Sequence, residues 1–274
     1  MSAGIIIQAR SGSSRFPRKI FADIAGHTVL WHVIKRSIRT FIPNLKVIVA
    51  TSDLKVDDRV EREALKAGAF VYRGSHQNLL RRYYYAATMF EIDPIIRITA
   101  DCPFIDPNLV RRIYEMIHPG IYSETGNDYV CIDAMASYPN GMDAEVFRYK
   151  DLEKEYKHSR INRALDTGKS LEHVTTRIRK NPELKRAVLK YNGRKRVPKM
   201  RLTLDYKEDL VVLQILANTL FHKNPYFNFS MILDFMIEHP EICILNNELQ
   251  DIKSNGKQRQ RYTKVSKTRR YSRN

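Results

Sequence analysis

The stretch GIIIQARSGSSRFPRK, residues 4–19, joins a short apolar run to a loop of small and basic residues. The β-branched residues of the apolar run favour a strand over a helix. In the loop, Gly and Ser let backbone N–H groups approach an anion, while Arg and Lys side chains supply charge-assisted donors. This arrangement suits a polyphosphate, although it matches neither the Walker sequence nor the dinucleotide-binding fingerprint. A solvated basic turn is the alternative that composition leaves open.

Short apolar runs like this one alternate with segments of helical period along the chain. The predicted strands are residues 4–9, 46–51, 70–73, 95–100, 129–132 and 201–204. The predicted helices are residues 28–40, 107–117 and 207–222, and Asp106 is a suitable N-cap for the second of them. The alternation predicts an α/β fold with a mainly parallel central sheet.

Length and composition predict one α/β domain over residues 1–250, with a basic tail over residues 251–274. The chain has 274 residues, of which 43% are hydrophobic, so a large core is available without disulfides. Its three cysteines are widely spaced, which indicates neither a disulfide framework nor a zinc site. No apolar run is long enough for a transmembrane helix. We therefore expect a soluble, cytoplasmic protein.

The formal net charge of +17 indicates an anionic substrate or partner. Nine cations and no acid lie in the last 22 residues, a segment too poor in aliphatic residues to fold by itself. We predict that this tail is disordered. A second basic stretch, residues 177–201, carries eleven Lys or Arg and one acid, Glu183, and is interpreted as a helix end followed by a solvent-facing turn or hairpin.

Residues that directly follow the strands are the first candidates for a site, because open parallel sheets bind ligands beyond the carboxyl ends of their strands. Thr51 ends the second predicted strand and suits either a base or sugar contact or a helix cap. Asp101 and Asp205 each follow a predicted strand. Two such carboxylates could share a Mg²⁺ ion bound to substrate phosphates, since Mg²⁺ typically takes one or two protein carboxylates there. Each could instead cap a helix.

Two further polar clusters and one cysteine raise other possibilities. Asp143 and Glu145 lie in the polar run at residues 140–145, and Glu172 and His173 open a segment of helical pattern. His173 suits proton transfer or hydrogen bonding to an anion, and a structural histidine is an equal alternative. Cys102 precedes a proline and has no assignable base, which disfavours a catalytic thiol.

Several of these segments together resemble the cytidylyltransferases that activate acidic sugars. The similarity is strongest to the branch named after spore coat polysaccharide biosynthesis protein F, which is related to the CMP-N-acetylneuraminate and 3-deoxy-manno-octulosonate cytidylyltransferases. It spans roughly residues 4–220 in the family's order. The matching segments are IIIQARSGSSRFPRKIFADIAGHTVLWHVI, VIVATSD, RGS, RRYYYAA, IRITADCPFIDP, YPNGMDAEVF, EHVTTRIRKNPE and RLTLDYKEDL.

The resemblance implies a Rossmann-like nucleotide-diphospho-sugar-transferase fold that binds CTP and Mg²⁺ and forms a homodimer, with residues 138–200 as an acceptor or dimerisation insertion. It implies nucleotide contacts from Ala9, Arg10, Ser13, Arg15, Lys19, Ala50, Thr51, Arg82 and Asp101. It implies catalytic roles for Arg10, Lys19 and Asp205, metal ligation by Asp101 and Asp205, and acceptor or dimer contacts from Asp143, Glu145, Glu172 and His173.

The function expected from this resemblance is transfer of CMP from CTP to an acidic sugar or related anionic acceptor, with release of pyrophosphate, in surface polysaccharide or glycan biosynthesis. One alternative is a glycosyltransferase of the same fold that uses a nucleotide sugar. Another is a non-enzymatic nucleic-acid-binding protein, which the basic tail and its tyrosines suggest. A further hypothesis is that the tail holds an enzyme near an anionic surface.

Overall fold

The computed structural model describes residues 1–118, 126–134, 136–161 and 174–247. Nine strands lie in this part of the chain: β1 Ser2–Gln8, β2 Asp23–Ile24, β3 His27–Thr28, β4 Lys46–Ser52, β5 Phe70–Gly74, β6 Ile92–Thr99, β7 Tyr129–Ile132, β8 Ala144–Phe147 and β9 Arg186–Leu189. The same residues form nine α-helices: α1 Val29–Ile38, α2 Asp58–Lys66, α3 Leu79–Met89, α4 Pro107–Ile117, α5 Tyr149–Ile161, α6 Thr176–Lys180, α7 Lys207–Leu220, α8 Phe229–Glu238 and α9 Pro240–Ile244.

Seven strands form one sheet in the order β5-β4-β1-β6-β8-β7-β9, while β2 and β3 pair separately. Strands β5, β4, β1 and β6 pair in parallel, as do β7 and β9. Strand β8 runs antiparallel to both of its neighbours. The predicted α/β class with a mainly parallel sheet is confirmed.

The apolar run of β1 is buried on both faces of the sheet. Ile5 and Ile7 pack into a core layer with α1, α4 and α7, and Ile6 packs into the opposite layer with α3 and α5. Strands covered on both sides read as continuous apolar runs, because neither face meets water. This accounts for the unbroken Ile5–Ile7 sequence at the centre of the sheet. No helix among the described residues is long and apolar enough to cross a bilayer.

Most predicted elements are confirmed, with differences at their ends. The predicted strand at residues 129–132 and the predicted helix at residues 107–117 have the bounds of β7 and α4. Asp106 caps α4 by accepting a hydrogen bond from the backbone N–H of Asn108 at 2.8 Å. The first helix is shorter than predicted, covering Val29–Ile38, and Thr28 caps it.

The prediction of a strand at residues 201–204 is wrong. This segment is buried, but it forms only an isolated bridge between Arg201 and Asn140. Leu202 donates its N–H to the carbonyl of Asn140 at 2.7 Å, and Leu204 donates to the carbonyl of Asp101 at 2.8 Å. The segment crosses two loops rather than lying beside a strand, so its backbone partners are loop carbonyls.

Strand β9 lies inside the basic stretch that was interpreted as a helix end and a turn. Helix α6 supplies the helix end, but the RAVL sequence of β9 then extends the sheet by pairing with β7. Arg186 and Val188 are exposed because β9 is an edge strand, with Val188 keeping 44% of its surface accessible. The cationic residues on both sides of this strand concealed its apolar character.

Candidate active site

The loop after β1 forms one wall of a cleft of about 430 Å³ beyond the carboxyl ends of β1 and β6. The predicted nucleotide-binding residues that line it are Ala9, Arg10, Ser13, Arg15, Lys19 and Asp101. Ser11 holds this loop closed, because its carbonyl accepts a hydrogen bond from the N–H of Arg18 at 3.1 Å. Gly12 has no atom within 4 Å of an added Cβ, so the chain is open toward the cleft at this position.

Lys19 brings the two predicted metal ligands together. Its Nζ lies 2.7 Å from Oδ2 of Asp101 and 2.9 Å from Oδ1 of Asp205. Arg15 adds a second cation, with Nη2 2.7 Å from Oδ1 of Asp205. The other oxygen of Asp101, Oδ1, accepts a hydrogen bond from Thr99 at 2.6 Å. Arg15, Lys19 and Asp101 line the cleft, and Asp205 lies buried behind them at 2% exposure.

The opposite charges of Lys19 and the two carboxylates stabilise each other. Burial raises the pKa of Asp101, but the charge and hydrogen bond of Lys19 outweigh burial and hold that pKa below its ordinary value. Burial likewise lowers the pKa of Lys19, but Asp101 and Asp205 raise it above its ordinary value. Both groups are therefore ionised at neutral pH, and the site has fixed charges before any ligand arrives.

A buried network holds Asp205 from behind. Arg201 has 0% exposure and donates to both oxygens of Asp209, from Nε at 3.0 Å and Nη2 at 3.1 Å. Asp209 also accepts the backbone N–H groups of Asp205 at 2.9 Å and Tyr206 at 3.0 Å. Asn246 donates to Asp209 at 3.0 Å and so ties the last described segment to the site. These contacts fix the backbone on which Asp205 is carried.

Ala50, Thr51 and Arg82 are buried behind the loop rather than lining the cleft. The carbonyl of Ala50 accepts the N–H of Ala9 at 3.2 Å, which joins β4 to the start of the loop. Oγ1 of Thr51 and two guanidinium nitrogens of Arg82 are buried without a hydrogen-bond partner among the described residues. Unpaired buried polar groups are costly, so they mark a position where a ligand or water is expected.

A second cleft, of about 710 Å³, meets the first at Thr99 and Asp101. The predicted acceptor residues Asp143 and Glu145 both line it. Gly141 holds the loop that carries Asp143: its φ is +108°, and an added Cβ would lie 2.3 Å from the carbonyl carbon of Leu202. The glycine therefore permits a backbone approach that no other residue could make.

The second cleft contains two arginines that the sequence analysis missed. Nη1 of Arg97 lies 3.2 Å from Oε2 of Glu145, and Nη1 of Arg179 lies 3.7 Å from Oε1. Thr175 donates to the same carboxylate at 2.7 Å. Arg97 occupies an interior strand position and Arg179 lies in the basic stretch at residues 177–201. Arg97 interrupts the apolar sequence of β6, and this interruption is the signal from which the sequence could have identified Arg97 as a site residue.

The remaining candidates are two residues outside the described part of the chain and one buried cysteine. Glu172 and His173 lie outside the described residues, as does the tail at residues 251–274. Cys102 is 2% exposed, and burial with the charges of Asp101 and Asp143 raises its pKa well above the ordinary value, so its thiol is protonated at neutral pH. The described residues contain no group of three or more acidic, His or Cys side chains arranged to hold a metal.

Comparison of the sequence with known families identifies the group of proteins to which this chain is related. The family model described as cytidylyltransferase matches residues 4–238, most of the chain. The chain belongs to the cytidylyltransferase family. It is 34% identical over 208 residues to the spore coat polysaccharide biosynthesis protein SpsF of Bacillus subtilis (strain 168), covering 74% of this chain and 81% of that protein.

Solved structures of other cytidylyltransferases share the fold. A cytidylyltransferase from Leptospira borgpetersenii serovar Hardjo-bovis (strain JB197) superimposes with a TM-score of 0.74 at 28% identity, covering 89% of this chain and 97% of that chain. A CMP:2-keto-3-deoxy-manno-octonic acid synthetase complexed with CTP gives a TM-score of 0.57 at 17% identity, covering 80% and 99%. The family and the nucleotidyltransferase class predicted from the sequence are confirmed.

Proposed function

We propose that this cytidylyltransferase transfers CMP from CTP to an acidic sugar or related anionic acceptor, releasing pyrophosphate, in polysaccharide or glycan biosynthesis. The observation that supports this most directly is the meeting of two clefts at Thr99 and Asp101. The first cleft has a basic loop suited to a triphosphate, and the second has carboxylates and guanidinium groups suited to a polar acceptor. A group carried by the nucleotide would reach the acceptor at their shared wall.

In the proposed reaction an acceptor oxygen attacks the α-phosphorus of CTP. A new oxygen–phosphorus bond forms, the bond from the α-phosphorus to the bridging oxygen breaks, pyrophosphate leaves with the electron pair, and the proton of the acceptor hydroxyl is released to solvent. Negative charge grows on the bridging oxygen and on pyrophosphate, so prearranged cations stabilise the transition state most. Arg10, Arg15 and Lys19 supply these charges from the cleft wall. Asp205 keeps Arg15 and Lys19 in place through its two ion pairs.

The donor set fits a divalent cation, which we propose to be Mg²⁺ held by Asp101 and Asp205. The two carboxylates converge on the position that Lys19 Nζ holds in this structure, so a divalent ion would replace Lys19 there. The ion would neutralise triphosphate charge when bound. Lys19 can turn toward the same phosphates, because its side chain is long and flexible.

In the second cleft, we propose that Arg179 binds the acceptor's carboxylate. Half of its side-chain surface is exposed, and its 3.7 Å contact with Glu145 leaves donors available to a ligand. Asp143 and Glu145 would accept hydrogen bonds from acceptor hydroxyls. An Arg179→Ala variant should raise the KM for the acceptor tenfold or more and leave the affinity for CTP unchanged. Equal effects on both substrates would contradict this assignment.

We also propose that the enzyme is a cytoplasmic homodimer, with residues 138–200 contributing acceptor or dimer contacts and the tail at residues 251–274 contacting anionic surfaces or nucleic acid. The described surface offers exposed apolar residues for a subunit contact, with Met89 on α3 68% exposed and Ile161 on α5 81% exposed. Light scattering of the purified protein gives the oligomeric state. Loss of salt-dependent RNA binding on deletion of residues 251–274 would show that the positive charge of the tail is responsible for this binding.

Thermal stabilisation tests the nucleotide half of the proposal without an acceptor. CTP, ATP, GTP, UTP and several UDP-sugars are each added with and without Mg²⁺. A ligand that binds only the folded state stabilises it by about 2.7 kcal/mol at 100 times its dissociation constant. We expect selective, Mg²⁺-dependent stabilisation by CTP, followed by pyrophosphate release with one of a panel of acidic sugars. Stabilisation by a UDP-sugar alone would favour a glycosyltransferase, and no response to any nucleotide would contradict the proposal.

A further inference from the structure

Asp57 joins the loop after β1 to the end of β4, although it lines neither cleft. The residue is 1% exposed. Oδ1 accepts hydrogen bonds from the backbone N–H of Ser11 at 2.7 Å and from Oγ of Ser11 at 2.5 Å. Oδ2 accepts a short hydrogen bond from Oγ of Ser52, the last residue of β4. One buried side chain therefore fixes both the loop after β1 and the end of β4.

The local position of Asp57 does not explain this arrangement. It directly precedes α2, where an Asp side chain normally caps the first turn of its own helix. Here the side chain makes no capping hydrogen bond to α2. It extends instead toward a segment 46 residues earlier in the chain. Asp57 therefore does not stabilise the first turn of α2 and instead binds Ser11 in the loop after β1.

The charge on Asp57 is retained in the folded protein. Burial raises its pKa, but the hydrogen bonds from Ser11 and Ser52 and the nearby charge of Arg82 outweigh burial and hold the pKa below its ordinary value. The pKa of Arg82 is lower than its ordinary value, because burial and the charge of Arg10 lower it. Asp57 acts in the other direction and raises the pKa of Arg82. The opposite charges of Asp57 and Arg82 thus favour each other.

Ser11 is the residue through which this contact reaches the first cleft. Its N–H is bound by Asp57 and its carbonyl by the N–H of Arg18, at 3.1 Å, so both of its backbone groups are held. The next three residues, Gly12 to Ser14, line the cleft. The orientation of their backbone is set by Ser11, which precedes them directly.

We propose that Asp57 is a positioning residue for the triphosphate: it holds the loop at residues 9–15 in its ligand-binding conformation without touching the nucleotide. This inference rests on the proposed function, because it assumes that the loop binds the phosphates of CTP. Preorganised donors need no rearrangement when the ligand arrives, so loss of the anchor should weaken binding more than it alters the folded core.

The test compares Asp57→Asn with Asp106→Asn, a matched control. Asp106 is 4% exposed and accepts backbone N–H groups of Asn108 and Phe229, each at 2.8 Å, but it lines neither cleft. Hydrogen exchange is measured over residues 9–19 without ligand, and the Kd for CTP is measured by calorimetry. We expect Asp57→Asn to accelerate exchange in the loop and raise the Kd at least tenfold. Asp106→Asn should leave both at wild-type values.

Ser52→Ala provides a milder variant in case Asp57→Asn does not fold. It removes one donor to Asp57 and keeps the carboxylate, so we expect smaller changes in the same direction. Wild-type exchange or wild-type CTP affinity in both Asp57→Asn and Ser52→Ala would overturn the inference, as would equal changes in Asp106→Asn. If the wild-type protein does not bind CTP, the proposed function fails, and loop exchange in the variants still decides whether Asp57 holds the loop.

Discussion

Leu204 donates its backbone N–H to the carbonyl oxygen of Asp101 at 2.8 Å. This hydrogen bond ties the segment that carries Asp205 to the loop that carries Asp101. The two carboxylates can then share Lys19, with both ion pairs shorter than 3 Å. The site therefore depends on a contact between two irregular segments, each placed by the core beneath it.

Asp101→Asn should lower kcat about 100-fold or more, because it removes one of the two charges that hold Lys19 and the proposed metal. Pyrophosphate release at saturating substrate measures the loss, and the Mg²⁺ concentration required for activity should rise. Asp234→Asn is the control, since Asp234 lies on α8 in an exposed ion pair with Lys195. Full activity and an unchanged Mg²⁺ requirement in Asp101→Asn would remove Asp101 from the site.

Asp209→Asn should lower the free energy of unfolding by roughly 3 kcal/mol or more, because it leaves the guanidinium of Arg201 buried without a countercharge on that side. Asp151→Asn is a matched substitution on α5. Asp151 is also buried, but burial raises its pKa and Oδ2 has no partner among the described residues, so losing its charge should cost less than about 1 kcal/mol. Urea unfolding compares the two, and equal losses would argue against the special role of the Arg201 pair.

Gly141→Ala should destabilise the protein by about 2–4 kcal/mol, because the residue has positive φ and its added Cβ would overlap the carbonyl of Leu202. Gly12→Ala is the control for stability: its Cβ would meet no atom within 4 Å. We expect its free energy of unfolding to change by less than about 1 kcal/mol. Similar losses in both variants would show that the contact with Leu202 relaxes easily.

His32 should make the protein less stable as the pH falls from about 6.5 to about 4. Burial lowers the pKa of His32 to about 4, against a partial opposing effect from its hydrogen bond to the carbonyl of Ile24 at 2.7 Å. In this window the unfolded chain binds a proton that the folded protein excludes, so the free energy of unfolding falls by at most about 1.4 kcal/mol per pH unit. Above pH 6.5 the ring is neutral in both states and this effect disappears.

The measurement for His32 is urea unfolding at several pH values in wild type, His32→Gln and His222→Gln. Carboxylates also contribute to acid sensitivity, so the comparison between variants isolates the histidine. His32→Gln should show a shallower pH dependence than wild type, whereas the exposed His222→Gln should keep the wild-type slope. Parallel curves for all three proteins would contradict the prediction.

The strands of the sheet centre were predictable because burial on both faces leaves a continuous apolar signal, as in Ile5–Ile7. Strand β9 was not, because an edge strand needs few apolar residues and its neighbours are cationic. At residues 201–204 the error was the opposite one, because a strand was predicted where the structure has none. Its apolar alternation reports burial, and a sequence cannot distinguish burial beside a strand from burial across two loops.

The sequence by itself determined the chemistry of the first cleft. Small residues, Arg10, Arg15 and Lys19 follow β1 in one short segment, residues 9–19, so their identity and their place at a strand end were visible together. Only the tertiary structure decided how distant residues combine: Asp57 with Ser11, Arg97 and Arg179 with Glu145, and Asp205 with Lys19. Such pairings depend on strand order and on the path of loops. The sequence shows which side chains are charged, but only the packing of the elements brings two distant side chains into contact.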